Sequence, residues 1–121
     1  MFDHVTLKVS RFSKSLAFYR AALTPLGLEA QQVDEAAKSA GFGPQDSVGL
    51  WLADGQGGPV HLAFKAPDRA AVGRFFEAAL AAGGKDNGKP GERPDYSAKY
   101  YAAFVLDPDG NNLEAVTFAS K

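Results

Sequence analysis

No cysteine occurs in the 121 residues. Disulfides, thiolate metal sites and cysteine nucleophiles are therefore excluded, while the redox compartment stays open. Long apolar runs are also missing, and no stretch approaches the ~20 residues a membrane-spanning helix needs. Neither sign of charge dominates. The formal net charge is −1, so no global pull toward nucleic acid or an anionic membrane is expected. The N-terminal MFDHVTLKV lacks a basic segment leading into an apolar one, so no signal peptide is expected and a cytoplasmic location is the default. The remainder, 45% hydrophobic and 22% charged, is that of a soluble globular chain, long enough for one domain with an ordinary core.

The most informative stretch is Lys99–Phe118, KYYAAFVLDPDGNNLEAVTF. It reads as two strands joined by a tight turn. Pro108 presets φ, Asp107 and Asp109 can bond their own backbone, and Gly110 tolerates positive φ. Tyr100–Leu106 is aromatic and β-branched, and Leu113–Phe118 alternates. Glu114 sits inside that otherwise apolar run. A carboxylate there is costly unless it is paired or binds a cation.

The rest of the chain supplies further elements. Phe2–Val9 alternates, with Phe2, His4, Thr6 and Lys8 on one face and Asp3, Val5, Leu7 and Val9 on the other. A helix capped by Ser13 or Ser10 runs to about Leu23, with Phe12, Leu16, Tyr19, Ala22 and Leu23 at helical spacing, and ends at Pro25 and Gly27. Leu28–Asp34, Lys38–Phe42 and Val48–Ala53 are candidate strands. Asp54–Pro59, DGQGGP, is the strongest break in the chain. Beyond it the pattern restarts. A strand spans Val60–Ala66, and Asp68 caps a helix over Ala70–Ala82 that ends at Gly83 and Gly84. Lys85–Tyr96, KDNGKPGERPDY, reads as a short strand and then a long loop of the kind that often serves as a functional lid.

The restart is a repeat. At the offset that carries His4 onto His61, Lys8 falls on Lys65, Phe18 on Phe75 and Ala21-Ala22-Leu23 on Ala78-Ala79-Leu80, with no gap. Self-similarity at one offset marks duplicated structure. Each half is a βαβββ module, the first over about residues 1–54 and the second over about 59–118. The expectation is an α+β fold in which two βαβββ modules form a curved, mainly antiparallel eight-stranded sheet with the helices outside. The histidines then occupy equivalent points on the concave face. Glu114 follows the same in-versus-out logic, so His4, His61 and Glu114 are candidates to converge on one divalent ion, Fe, Mn, Ni or Zn. Taken singly, each histidine also reads as a satisfied core residue, and Glu114 as a buried partner of Lys8 or Lys65.

The segments DHVTLKV with SLAFYRAAL, VHLAFKA and YYAAFVLDPDGNNLEAV resemble the vicinal oxygen chelate superfamily of glyoxalases, bleomycin-resistance proteins and extradiol dioxygenases. DPDGNNLE is the most specific marker, and the resemblance covers essentially the whole chain. It implies a metal site at His4, His61 and Glu114 enclosing a cavity, and a small-molecule substrate that chelates the ion through two neighbouring oxygens. Around that ion, Thr6, Lys8 and Lys65 become cavity-lining candidates and Trp51 with Tyr100 or Tyr101 an aromatic wall. A tyrosine hydroxyl is the candidate proton donor. Arg93 and Tyr96 are candidates to meet an anionic group on the substrate. The resemblance also implies a homodimer, in several members with the first module of one chain paired to the second module of the other.

Three departures narrow the class. Val48–Leu52 offers no fourth ligand of the lactoylglutathione-lyase kind, no further histidine serves the acid–base work of extradiol enzymes, and only Lys121 adds a basic group after Glu114. A glyoxalase-like metal-dependent lyase, isomerase or dioxygenase is the leading expectation. A metal-free drug- or ligand-binding protein of the bleomycin-resistance type is the alternative.

Overall fold

Two copies of one βαβββ unit build the protein, and the computed structural model describes all of residues 1–121. The first unit comprises β1 (Val5–Val9), α1 (Phe12–Leu23), a 3-10 turn (Thr24–Leu26), β2 (Glu29–Asp34), β3 (Ser39–Gly43) and β4 (Leu50–Asp54). The second comprises β5 (His61–Lys65), α2 (Arg69–Ala81), β6 (Lys85–Glu92), β7 (Tyr101–Leu106) and β8 (Asn112–Thr117). Each unit forms its own four-stranded mixed sheet, ordered β1-β4-β3-β2 and β5-β8-β7-β6. In both, the first strand pairs in parallel with the last and the other pairings are antiparallel. The α+β class and the two modules match the expectation. Within one chain, however, the strands do not join into a single curved eight-stranded sheet.

The helices account for that difference. α1 and α2 pack against each other at the junction of the modules, so they are not outside the chain. The apolar faces of both helices and both sheets merge into one core that includes Leu7, Phe18, Tyr19, Phe42, Phe75 and Leu113. The Phe18 and Tyr19 rings meet edge to face, with centroids 5.2 Å apart, a favoured aromatic geometry. A Cβ on Gly84 would come within 2.7 Å of the Phe18 ring, so only glycine lets the chain after α2 approach α1 this closely. An apolar cleft of about 280 Å³ remains between the modules, with Val5 and Leu50 on one side and Leu62 and Phe64 on the other. No helix is long and apolar enough to cross a membrane.

Local details differ from the sequence expectation at two places. α1 begins at Phe12 behind Arg11 and has no side-chain cap; Ser10 instead donates from its backbone N–H and its hydroxyl to Asp109, 2.7 and 3.0 Å away. The Asp109 side chain thereby reaches from its turn across to the first module. β6 is eight residues long rather than a short strand, because bulges around Gly88 absorb the glycines and proline while keeping the pairing to β7. By contrast, Asp68 caps α2 as expected, accepting from Ala71 N–H.

The turn Asp107–Gly110 ties the modules together by hydrogen bonds. Buried Asp107 accepts from the backbone N–H groups of Asp109 and Asn111, from the Asn111 side-chain amide and from the Tyr19 hydroxyl of α1. Arg11 adds a bond to the Pro108 carbonyl. Gly110 has φ +86°, as the turn requires. Burial, together with the charge of Asp107, holds the Tyr19 phenol far above the usual tyrosine range.

Candidate functional site

Strand register brings the chemistry of the second module together. β5 and β8 run parallel with His61 opposite Asn112 and Ala63 opposite Glu114, and β7 sets Phe104 opposite Glu114. Side chains alternate along a strand. Leu62, Phe64, Val105 and Leu113 therefore join or pack on the core, and His61, Phe104 and Glu114 share the face turned away from α2.

On that face the bonding of His61 is directional. Its Nδ1 lies 3.0 Å from the carbonyl oxygen of Asn112. A carbonyl only accepts, so Nδ1 carries the hydrogen in that bond and Nε2 is the nitrogen left to face outward. Nε2 lies 3.1 Å from Glu114 Oε1. Two lone pairs facing each other at that distance require a cation between them, either a proton on Nε2 or a metal ion. The other oxygen, Glu114 Oε2, accepts from the Tyr100 hydroxyl. Burial, and then the adjoining carboxylate, push Tyr100 up to about 12, so its oxygen keeps its proton at neutral pH. Glu114 is only 2% exposed, and both of its oxygens are engaged, which satisfies the physical demand for a buried carboxylate. Neither Lys8 nor Lys65 is its partner.

The donor set suits a divalent ion in kind, imidazole nitrogen and carboxylate oxygen, but one chain supplies only two of the three expected ligands. His4 is exposed, precedes β1 on the other sheet, and bonds through Nδ1 to Asp3 at 2.7 Å. No cluster of three or more histidine, aspartate and glutamate side chains forms within the chain.

The other sequence candidates divide between the modules. Tyr96 packs edge to face on Tyr100, with centroids 5.0 Å apart, and Phe118 does the same from a different direction at 5.3 Å. The Arg93 backbone N–H donates to the Tyr100 carbonyl at 2.7 Å, which places the head of the 93–100 loop beside Glu114. Lys65 is exposed on the His61 side of β5. Tyr101 has the opposite parity to Tyr100 and lies under the Arg69 guanidinium, 4.5 Å from ring centroid to Cζ, away from the His61–Glu114 pair. Thr6, Lys8 and Trp51 belong to the first sheet and are not brought near Glu114 in one chain. Lys8 lays its stem along Gly55 and Gly57, and Trp51 lies over Gly41, where a Cβ would meet the indole at 2.9 Å.

Sequence reasoning missed Phe104, Asn112 and Asn87. His61 stacks on Phe104, with centroids 6.3 Å apart and planes 24° apart. Asn112 orients His61 through its carbonyl and receives the Asn87 side-chain amide at 3.2 Å. Phe104 had a readable signal: counting outward from the Asp107–Gly110 turn along both strands puts it across from Glu114.

Comparison with known proteins yields the following. A profile of the Glyoxalase/Bleomycin resistance protein/Dioxygenase superfamily matches residues 1–115. A search of curated protein sequences gives no match. Among solved structures, a glyoxalase/bleomycin resistance protein from Albidiferax ferrireducens T118 is 28% identical at TM-score 0.80, covering 96% of this chain and 98% of that one. Lactoylglutathione lyase from Agrobacterium tumefaciens is 21% identical at TM-score 0.69, covering 96% and 91%, a likeness of fold. A glyoxalase I mutant from Zea mays is 26% identical at TM-score 0.68 and covers 95% of this chain but 45% of the longer one.

Proposed function

The chain belongs to the glyoxalase, bleomycin-resistance and dioxygenase superfamily, and from that premise we propose that it is a divalent-metal-dependent, glyoxalase-like enzyme acting on a small oxygenated metabolite. The observation that carries this reading is the facing pair, His61 Nε2 and Glu114 Oε1 at 3.1 Å, with the imidazole tautomer set by the Asn112 carbonyl. Such an acceptor behind a histidine is what metal ligation calls for, since it orients the ring and raises the basicity of the free nitrogen. A bound divalent ion would supply Lewis-acid polarisation of two neighbouring substrate oxygens.

The chain's own residues have separable tasks. His61 and Glu114 present one nitrogen and one oxygen toward a common point. Tyr100 keeps Glu114 Oε2 occupied and holds a proton next to the site. Asn112 fixes His61, and Phe104 supports the flat face of its ring. His4 has the same residue type at the equivalent position of the other module. We assign it to the site of a second copy, so that first and second modules from different chains face each other. In that assembly Thr6, Lys8 and Trp51 line the wall opposite Glu114, and the two four-stranded sheets continue around a shared cavity.

A metal-free ligand-binding protein is the second reading. It is favoured by one observation, that a single chain gathers no three ligands. Elemental mass spectrometry of the purified protein separates the two. The enzyme reading expects about one Fe, Mn, Ni or Zn per chain, lost in His61→Ala, Glu114→Ala and His4→Ala while the circular dichroism spectrum is unchanged. Absence of metal after reconstitution, or full occupancy in His61→Ala, would overturn it.

A further inference from the structure

A cleft of about 270 Å³ opens beside the His61–Glu114 pair, lined by Asn87, Gly88, Arg93, Tyr96, Phe104 and Asn112. Its one charged side chain is Arg93, half-buried and without a carboxylate within ion-pairing distance. Asp95, on the same loop, is exposed and forms no ion pair, and three further acids are engaged elsewhere. Asp86 pairs with Lys89 at 2.8 Å, Glu92 reaches Arg69 at 3.4 Å, and Glu114 serves His61 and Tyr100.

Arg93 is nevertheless held in place. Its Nη2 donates to the Lys89 carbonyl at 2.7 Å, and its Cζ lies 5.4 Å from the centroid of Phe104, whose ring also stacks with His61. The seat under it is made of glycine. A Cβ on Gly88 would come to 3.3 Å of Nη2, and one on Gly91 to 3.1 Å of Nη1. Gly88 also has φ +154°, so both the space and the backbone select glycine there. The bulges of β6 thus form a cradle for a guanidinium that meets only neutral carbonyls.

We infer that Arg93 receives the carboxylate of an organic-acid substrate whose other end lies at His61 and Glu114. A planar, singly charged group matches the fork of one guanidinium. The neutral amides of Asn87 and Asn112 and the Tyr96 hydroxyl are the remaining polar groups of the cleft. A doubly charged phosphate would call for a second free cation, and Lys89 is neutralised by Asp86. This inference rests on the proposed site as a small-molecule site, but it does not require the metal.

The probes are benzoate, its uncharged isostere benzamide, and inorganic phosphate. Binding is followed by NMR at the Arg93 Nε–H and the Asn87 and Asn112 amides of the full chain. Benzoate should shift these signals saturably and bind at least about tenfold more tightly than benzamide, the scale expected for hydrogen bonds to a charged group. Arg93→Gln should abolish that preference with the amide spectrum otherwise intact, and Arg93→Lys should restore part of it. Wild-type protein stripped of metal with EDTA should keep the same preference for benzoate over benzamide, which separates this result from the fate of the metal. No saturable shift, equal binding of benzoate and benzamide, a preference for phosphate, a preference that survives Arg93→Gln, or loss of the benzoate preference after EDTA treatment would each overturn the inference.

Discussion

The two modules share a backbone and differ in what their outer faces carry. In the second, parallel pairing sets Ala63 against Glu114, and β7 places Phe104 beside them. The equivalent pairing in the first sets Thr6 against Trp51, with Gly41 in the place of Phe104. A carboxylate over phenylalanine in one module is thus an indole over glycine in the other. The histidines diverge as well. His61 is fixed by a strand carbonyl and faces an acid, whereas His4 precedes its strand and touches only its neighbour Asp3. Duplication supplied two equal scaffolds. One now carries the facing His61–Glu114 pair, and the other carries Thr6, Lys8 and Trp51 with His4 ahead of its first strand.

The largest expected effect tests that division directly. Mixing His4→Ala chains with His61→Ala chains should restore metal to about half the sites of the mixed dimers, because one composite site then has an intact His4 and an intact His61. Each variant alone should bind none. Elemental analysis of the mixture after unfolding and joint refolding reads the result. A mixture as empty as its components would mean that the modules of one chain serve the same site, and the contrast between donor and wall would have to be drawn within the chain.

The β3–β4 and β7–β8 connections form a second contrast. The first, through Pro44 and Ser47, is exposed and bonded mainly to itself. The second gathers four donors onto Asp107 and reaches Ser10, Arg11 and Tyr19 of the other module. Asp107→Ala leaves several buried donors unpaired and should cost on the order of 3 kcal/mol or more. Asp46→Ala, on the exposed connection, should stay within about 0.5 kcal/mol. Urea denaturation compares them, and equal losses would show that the intermodule tie adds nothing to folding.

How much of this was legible beforehand depended on distance along the chain. The modules, the helix stripes, the Gly110 turn and the cap at Asp68 follow from local pattern and from the repeat. The facing of His61 and Glu114 followed from strand parity, since each has apolar neighbours. Tyr100 and Tyr101 could be told apart only once parity was fixed relative to Glu114, and that needed the β7–β8 register. The capping of α1 failed because the helix starts behind Arg11 and Ser10 is turned to Asp109, nearly the whole chain away. The single eight-stranded sheet failed because hydrophobic periodicity says which face of a strand is buried but not which strands pair across the modules. The Arg93 cradle was hidden because glycines in a polar stretch read as loop, whereas bulges let them serve in a strand.

The smallest expected effect is a pH dependence that isolates the tie between Tyr19 and Asp107. Tyr19→Phe keeps the buried ring and removes the hydroxyl, and should cost about 2 kcal/mol at neutral pH, the scale of a hydrogen bond to a charged group. The phenol is raised in the folded state by burial and by Asp107, with Asp109 adding to the effect. A group whose folded value is raised contributes its full stability below its unfolded value, about 10, and loses it as the pH climbs from there toward the folded one. Only the wild type carries this ionisation. The stability gap between wild type and Tyr19→Phe should therefore be constant below pH about 10 and narrow above it, while the remaining tyrosines and lysines cancel in the difference. Urea midpoints of both proteins across that range provide the measurement. A gap that stays constant through alkaline pH would show that Tyr19 ionises alike in the folded and unfolded chains, and that the bond between the modules does not shield its proton.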